Sequence, residues 1–232
     1  MFVLVHSPAV GPATWAPVAS ALRARGRDAV VPSLTGLAEA EPPYWVHVVR
    51  TVVAAIDRAG GQDPLVVVAH SGAGLFVPLL VANAPRAVRA CVFVDATVPV
   101  AEGYMPVAPP ALLPFLRARA EHGRLPAWTQ WWEPGEAAVL FPDEHTRALV
   151  EAEEPRLPLA YYEEAVPAPP GWDDRPCGYV LFSETYAAAA EQARMRGWAV
   201  EHLPGGHLHQ LTDPVGVAQR LLALTEALVP DP

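Results

Sequence analysis

The sequence predicts an α/β fold, a parallel sheet of about six strands covered by helices on both faces. Three observations carry this reading. Short apolar runs alternate along the chain with longer stretches in which apolar residues recur at three- and four-residue spacing, the pattern of strands joined by crossover helices. At 232 residues, 52% hydrophobic and 18% charged, the chain has the length and composition to bury a large core and lies far from the disordered class. Between Pro99 and Pro176 the alternation is interrupted by a stretch holding 14 of the 27 prolines, which reads as an insertion.

Taken in order, Phe2–Val5, Ala29–Pro32, Pro64–Ala69, Cys91–Asp95, Gly178–Phe182 and Ala199–Leu203 read as the six strands. Thr14–Arg25, Tyr44–Ala59, Gly72–Ala84, Ala187–Arg196 and Pro214–Leu228 read as the helices between and after them. The last helix has a clear start: Asp213 can cap it, and Pro214 fits a first turn in which a missing N–H costs nothing. The parts assign as 1–98 and 177–232 for the α/β core and 99–176 for the insertion.

Composition excludes several function classes. The formal charge is −9, all 16 basic residues are arginines, and they are scattered singly, so no basic cluster is available to neutralise a run of phosphates. No nucleic-acid partner is expected. Apolar runs such as Leu65–Ala69 are much shorter than a bilayer crossing requires, and no basic segment followed by an apolar core opens the chain. The expectation is a soluble, cytoplasmic protein with no membrane partner; oligomeric state is not legible. Cys91 and Cys177 lack metal-ligand spacing and read as core packing.

The chemistry centres on Val66-Val67-Val68-Ala69-His70-Ser71-Gly72-Ala73-Gly74, an apolar strand running straight into a helical pattern. A serine at such a turn is held in a strained geometry that small neighbours (Ala69, Ala73) permit, and the Gly72 N–H faces any oxyanion that forms. Ser71 therefore reads as a nucleophile on an elbow rather than as a plain helix cap. A dinucleotide loop is a poor match, since the third glycine position is Val77 and no acidic residue lies about 20 positions on. The loop Leu203-Pro204-Gly205-Gly206-His207-Leu208-His209 provides the histidine. His207, on a Gly-Gly loop, can reach over a serine, with His209 as its rival. The His-x-His pair lacks the further ligands a metal site needs, so no metal is expected, and nucleophilic serine chemistry needs no cofactor.

The strand followed by His6-Ser7-Pro8, Trp15, the elbow at Ser71, Asp95 and the Gly-Gly-His207 loop together resemble the α/β-hydrolase fold superfamily, in particular its small plant-type esterases and hydroxynitrile lyases. The resemblance covers nearly the whole chain. It implies a shortened, wholly parallel sheet without the N-terminal hairpin, and a triad in the order serine, acid, histidine. In such proteins the acid follows the penultimate strand, but here that segment reads Phe182-Ser183-Glu184-Thr185-Tyr186. Haloalkane dehalogenase-like members carry it one strand earlier, where this chain has Asp95. Asp95 is the favoured acid, Glu184 the second, and a capping role for Asp95 is the bland alternative.

The resemblance also assigns a second oxyanion donor to the residue at Pro8, which has no N–H. Ser7, through its hydroxyl, or a shifted Ala9 N–H is the replacement. His6 and His70 read as structural, near-site residues bonding the backbone. Within the insertion, which the resemblance makes a cap, Trp128, Trp131 and Tyr161 are candidates to line an apolar pocket, while Glu133, Glu163 and Glu164 are expected in solvent. The function expected is a serine hydrolase acting on a small, largely apolar ester or acyl substrate. The alternatives are a lyase, cyclase or epimerase using the same residues for proton transfer, and a non-catalytic binding protein.

Overall fold

Side chains along the central strands alternate between two buried faces, the two-residue period of an extended chain, and this divides the core in two. The computed structural model describes residues 1–133 and 135–229. The strands are β1 (Phe2–Val5), β2 (Ala29–Val30), β3 (Leu65–Ser71), β4 (Val88–Ala96), β5 (Gly103–Pro106), β6 (Ala165–Ala168), β7 (Cys177–Leu181) and β8 (Ala199–His202). Six of them form one sheet in the order β2-β1-β3-β4-β7-β8, every neighbouring pair parallel. Val3, Val67 and Phe93 point to one face and Leu4, Val66 and Val92 to the other.

Helices cover both faces. On one, Val18 and Leu22 of α1 (Ala16–Arg23) meet Val217 and Leu221 of α9 (Pro214–Leu228) over β1, β3 and β4. On the other lie α2 (Tyr44–Ala59), α3 (Val77–Asn83) and α7 (Ala187–Met195), through Val52, Leu80 and Ala190. Burial on both sides is why the strands read as unbroken apolar runs. Among the described residues no helix is long and apolar enough to cross a membrane.

Several boundaries differ from expectation. The fourth strand begins at Val88, and β2 has only two residues. The helix expected over 72–84 is a 3-10 turn, Gly72–Phe76, followed by α3, which carries Pro78 in its first turn. Likewise a 3-10 turn at Pro12–Thr14 precedes α1. The start of α9 matches: Asp213 accepts the Gly216 N–H at 2.8 Å.

Residues 99–176 contain an unanticipated antiparallel pair, β5 with β6, together with α4 (Leu113–Arg119), α5 (Glu144–Glu151) and α6 (Leu159–Tyr162). Pro106 and Pro167 lie within its strands, which hid it in the sequence. A two-stranded ribbon tolerates them because each strand keeps one unpaired edge. The apolar residues of this segment, such as Leu116, Val166 and Trp172, continue the core on the α2/α3 face. Carboxylates tie it to the body. Glu153 accepts the Ala13 N–H at 2.7 Å, and Glu164 accepts the Tyr44 N–H at 3.0 Å and the Trp45 N–H at 3.4 Å. Glu164 is therefore not the solvated residue expected; it caps the start of α2 from outside that helix, satisfying N–H groups that have no intrahelical partner. Glu163 stays on the surface, paired with Arg117 at 2.7 Å, and Glu133 is exposed. Cys91 and Cys177 are buried free thiols, opposite one another across β4 and β7.

Candidate active site

In a parallel sheet all strands end on the same side, so the loops after β1, β3, β4, β7 and β8 converge at one edge. Ser71 closes β3 with φ 58° and ψ −131°, a left-handed geometry that costs a non-glycine residue free energy and is held only by its surroundings. Those surroundings are tight. Ala69 and Ala73 are fully buried, the Thr97 N–H donates to the Ser71 carbonyl at 3.1 Å, and any side chain at Gly74 would collide with the Thr97 carbonyl. Gly72 opens the turn that follows, so its N–H is one of the donors a helical start leaves without an internal partner.

Asp95 lies near the end of β4, at φ 42° and fully buried. Its carboxylate accepts four hydrogen bonds. Oδ1 takes the N–H groups of Phe182 (2.8 Å) and Ser183 (3.0 Å), while Oδ2 takes the Ser183 hydroxyl (2.6 Å) and His207 Nδ1 (2.8 Å). Burial opposes ionisation, but the bonds from His207 and Ser183 outweigh it and hold the carboxyl below its usual range. An ionised carboxylate only accepts, so the His207 proton is on Nδ1 and the Nε2 lone pair is available as a base.

Two further rings pack on His207. His70 stacks at 4.5 Å between centroids with a 30° tilt and donates from Nε2 to the His207 carbonyl at 2.9 Å. Burial, followed by the neighbouring His207, pushes its pKa down to about 3, so His70 is neutral. Tyr186 stacks at 5.0 Å and only 7° from parallel, and its hydroxyl lies 3.1 Å from Ser71 Oγ. Burial raises the Tyr186 pKa, so the phenol keeps its proton. Ser7, Val10, His70, Ser71, Trp128 and His207 line a cavity of about 10 Å³, the room of roughly one water.

The expected site residues fall into two groups. Ser71, Asp95, His207, His70, Ser7 and Trp128 come together, Trp128 lying 6.3 Å from His207 between ring centroids. His6 sits behind them, buried, donating from Nδ1 to the Ser7 carbonyl (2.8 Å) and accepting the Leu34 N–H on Nε2 (3.0 Å). Pro8 is buried beside Ser7. Of the N–H groups after it, that of Ala9 points to Ser7 Oγ (3.4 Å) and that of Val10 to the Ser7 carbonyl (3.1 Å), so the shifted Ala9 donor is already engaged.

The others lie apart. Glu184 is exposed on the 3-10 turn Glu184–Tyr186, and the carboxylate on His207 is that of Asp95. His209 opens α8 (His209–Thr212) and bonds Thr212 Oγ1 at 2.8 Å. Trp131 donates to the Pro126 carbonyl and packs on Tyr162, and Tyr161 packs edge-on to Tyr44; both are buried in the core rather than lining the cavity. Large aromatics in an apolar segment fill the interior first, which is why pocket lining was wrongly expected of them. Among the described residues no three His, Cys, Asp or Glu side chains converge as a metal site. Sequence reasoning missed Ser183 and Tyr186; the available signal was their position just past β7, at the same sheet edge.

The model of the alpha/beta hydrolase family matches residues 2–220. No curated protein matches the chain. Among solved structures it is similar to an extracellular alpha/beta-hydrolase from a Paenibacillus species, described as sharing structural and functional homology with tobacco salicylic acid binding protein 2; identity is 18%, with 99% of each chain covered and a TM-score of 0.74. It is also similar to a pyrethroid hydrolase from Sphingobium faniae (19% identity, 97% of each chain, TM-score 0.68). A methylesterase from Arabidopsis aligns over 98% of this chain and 99% of its own at 16% identity, with a TM-score of 0.68. At such identities the likeness is one of fold, and the match to the family model, which spans nearly the whole sequence, shows that the chain belongs to the alpha/beta hydrolase family.

Proposed function

We propose that this protein is a serine hydrolase that cleaves a small, largely apolar carboxylic ester through Ser71, His207 and Asp95. The observation that carries the reading is the 2.8 Å bond from His207 Nδ1 to a buried, four-times-bonded Asp95, in a cavity shared with a serine at φ 58°. Asp95 fixes the tautomer and steadies the imidazolium. Nε2 takes the Ser71 proton as Oγ attacks the ester carbonyl, and the Gly72 N–H donates to the oxyanion. His207 then gives the proton to the leaving alcohol, and water repeats the cycle on the acyl-enzyme. No step needs a metal or a cofactor. Ester chemistry is supported by the pyrethroid hydrolase and methylesterase named among the similar structures.

In this reading residues 99–176 form a cap, with Trp128 over the cavity. The test is Ser71→Ala on short p-nitrophenyl esters, which should abolish turnover with the Tm preserved; retained activity would overturn the assignment. Pro8 favours one alternative. Lacking an N–H for the oxyanion, the same residues suit proton transfer in a lyase or isomerase, in which no acyl-enzyme forms.

A further inference from the structure

The loop after β1 offers little to an oxyanion. Pro8 has no N–H, and the next two N–H groups are turned back onto Ser7. One donor, at Gly72, leaves a tetrahedral oxyanion with unfilled acceptor positions, each of which is costly where the charge is shielded from solvent. From the turn after β7 a hydroxyl does reach the reacting atom: Tyr186 Oη is 3.1 Å from Ser71 Oγ. Its ring is fixed by the stacking on His207, 7° from parallel, and its chain position by the Glu184–Tyr186 turn, whose Tyr186 N–H donates to the Ser183 carbonyl at 3.1 Å. Ser183 also bonds Asp95, so Tyr186 is positioned by the same short segment that positions the acid.

Resting on the hydrolase reading, we propose that Tyr186 is a further catalytic residue, whose hydroxyl donates the second hydrogen bond to the oxyanion formed on the substrate carbonyl oxygen when Ser71 attacks. For acyl transfer the Tyr186 O–H must be the donor of its bond to Ser71 Oγ, which leaves the Ser71 proton for His207 Nε2. As Oγ bonds to the carbonyl carbon, that proton passes to Nε2 and the C=O π pair moves onto oxygen. The new oxyanion is bonded to the same carbon as Oγ, so with the ring held in place a turn of the Tyr186 O–H about its C–O bond carries the proton from Oγ towards it. When the pair returns to re-form C=O, the bond to the leaving alkoxide breaks and the alkoxide takes the proton from His207. Tyr186 lends a hydrogen bond throughout and keeps its proton. Burial of the phenol, which raises its pKa, suits a group that must donate without ionising.

Tyr186→Phe tests this, since it keeps the ring on His207 and removes one oxygen. Loss of one oxyanion donor lowers kcat about 10²- to 10³-fold. The expected result is a fall of that size on p-nitrophenyl acetate with KM within about threefold, an unchanged Tm, and a parallel rise in the Ki of a trifluoromethyl ketone, whose serine adduct carries the oxyanion. A kcat within threefold of wild type, or above it, would overturn the proposal, as would a fall in kcat with an unmoved Ki. Ser7→Ala, measured alongside, must be the milder variant; if it shows the loss and Tyr186→Phe does not, the Ser7 hydroxyl is the donor. Ser71→Ala distinguishes a failed Tyr186 assignment from a failed hydrolase assignment. If that variant is dead and Tyr186→Phe is normal, only the Tyr186 assignment fails; if Ser71→Ala is fully active, the hydrolase reading fails and takes the Tyr186 assignment with it.

Discussion

Replacing Asp95 by asparagine changes one atom, and the four hydrogen bonds determine which. Oδ1 receives two backbone N–H groups, from Phe182 and Ser183, so the asparagine carbonyl must occupy that side. Its NH₂ then takes the place of Oδ2, facing the Ser183 hydroxyl and His207 Nδ1. The hydroxyl can rotate to accept, but the imidazole cannot present a proton to another donor. His207 must move its proton to Nε2, and the base that Ser71 needs is lost. An aspartate-to-asparagine change that locks the wrong tautomer costs about 10⁴ in kcat, or about 5 kcal/mol of transition-state stabilisation. Hydrolysis of p-nitrophenyl acetate at pH 8 should show this loss in Asp95→Asn and near wild-type rates in Glu184→Gln. A second readout is acid stability. Because the Asp95 pKa is depressed in the folded protein, its contribution is present above the unfolded carboxyl value of about 4 and disappears as pH falls through the lower folded value. Asp95→Asn should lack that component of acid unfolding. If the variant keeps more than about a tenth of wild-type activity, the pairing of Asp95 with His207 does not serve catalysis.

Two further outcomes follow from buried groups. His6 and His70 have pKa values pushed down to about 4 and about 3 by burial, against about 6.5 in the unfolded chain, so the unfolded state binds more protons between these limits. Their stabilisation is complete above pH 6.5 and declines as pH falls towards 4 and then 3; Tm should drop between pH 7 and 5, less steeply in His70→Asn, and a flat Tm in wild type would contradict the assignment of neutral rings. Gly74→Ala drives a methyl group into the Thr97 carbonyl and must displace the segment after β4, which for overpacking of this kind costs about 1–3 kcal/mol. Thermal unfolding should show a Tm lower by several degrees together with reduced esterase turnover, whereas an unchanged Tm would mean that the elbow is not held by that contact.

The strands, the elbow and the histidine loop were legible because each rests on a local pattern. Val66 to Ala69 could only be a buried strand, and small residues around Ser71 allow the one backbone geometry in which a serine projects from its end. Asp95 was legible as a candidate, at the close of an apolar run, but choosing it over Glu184 required knowing that Phe182 and Ser183 turn their N–H groups towards it from β7. Contacts of that kind join residues 87 and 88 positions apart and leave no trace in spacing. The Tyr186–Ser71 bond, spanning 115 positions, was hidden for the same reason. The β5–β6 ribbon was masked by its own prolines, and Glu164 looked like a surface charge because nothing nearby in sequence reveals the α2 amides that it accepts.

The central claim is that Ser71 becomes a covalent nucleophile, activated by His207. Incubation with a fluorophosphonate, followed by intact mass and peptide mapping, tests it most directly. A nucleophilic Ser71 gives a single adduct per chain, mapped to Ser71, absent in Ser71→Ala and formed far more slowly in Asp95→Asn. An unmodified wild-type chain, or an adduct on another residue that persists in Ser71→Ala, would contradict it.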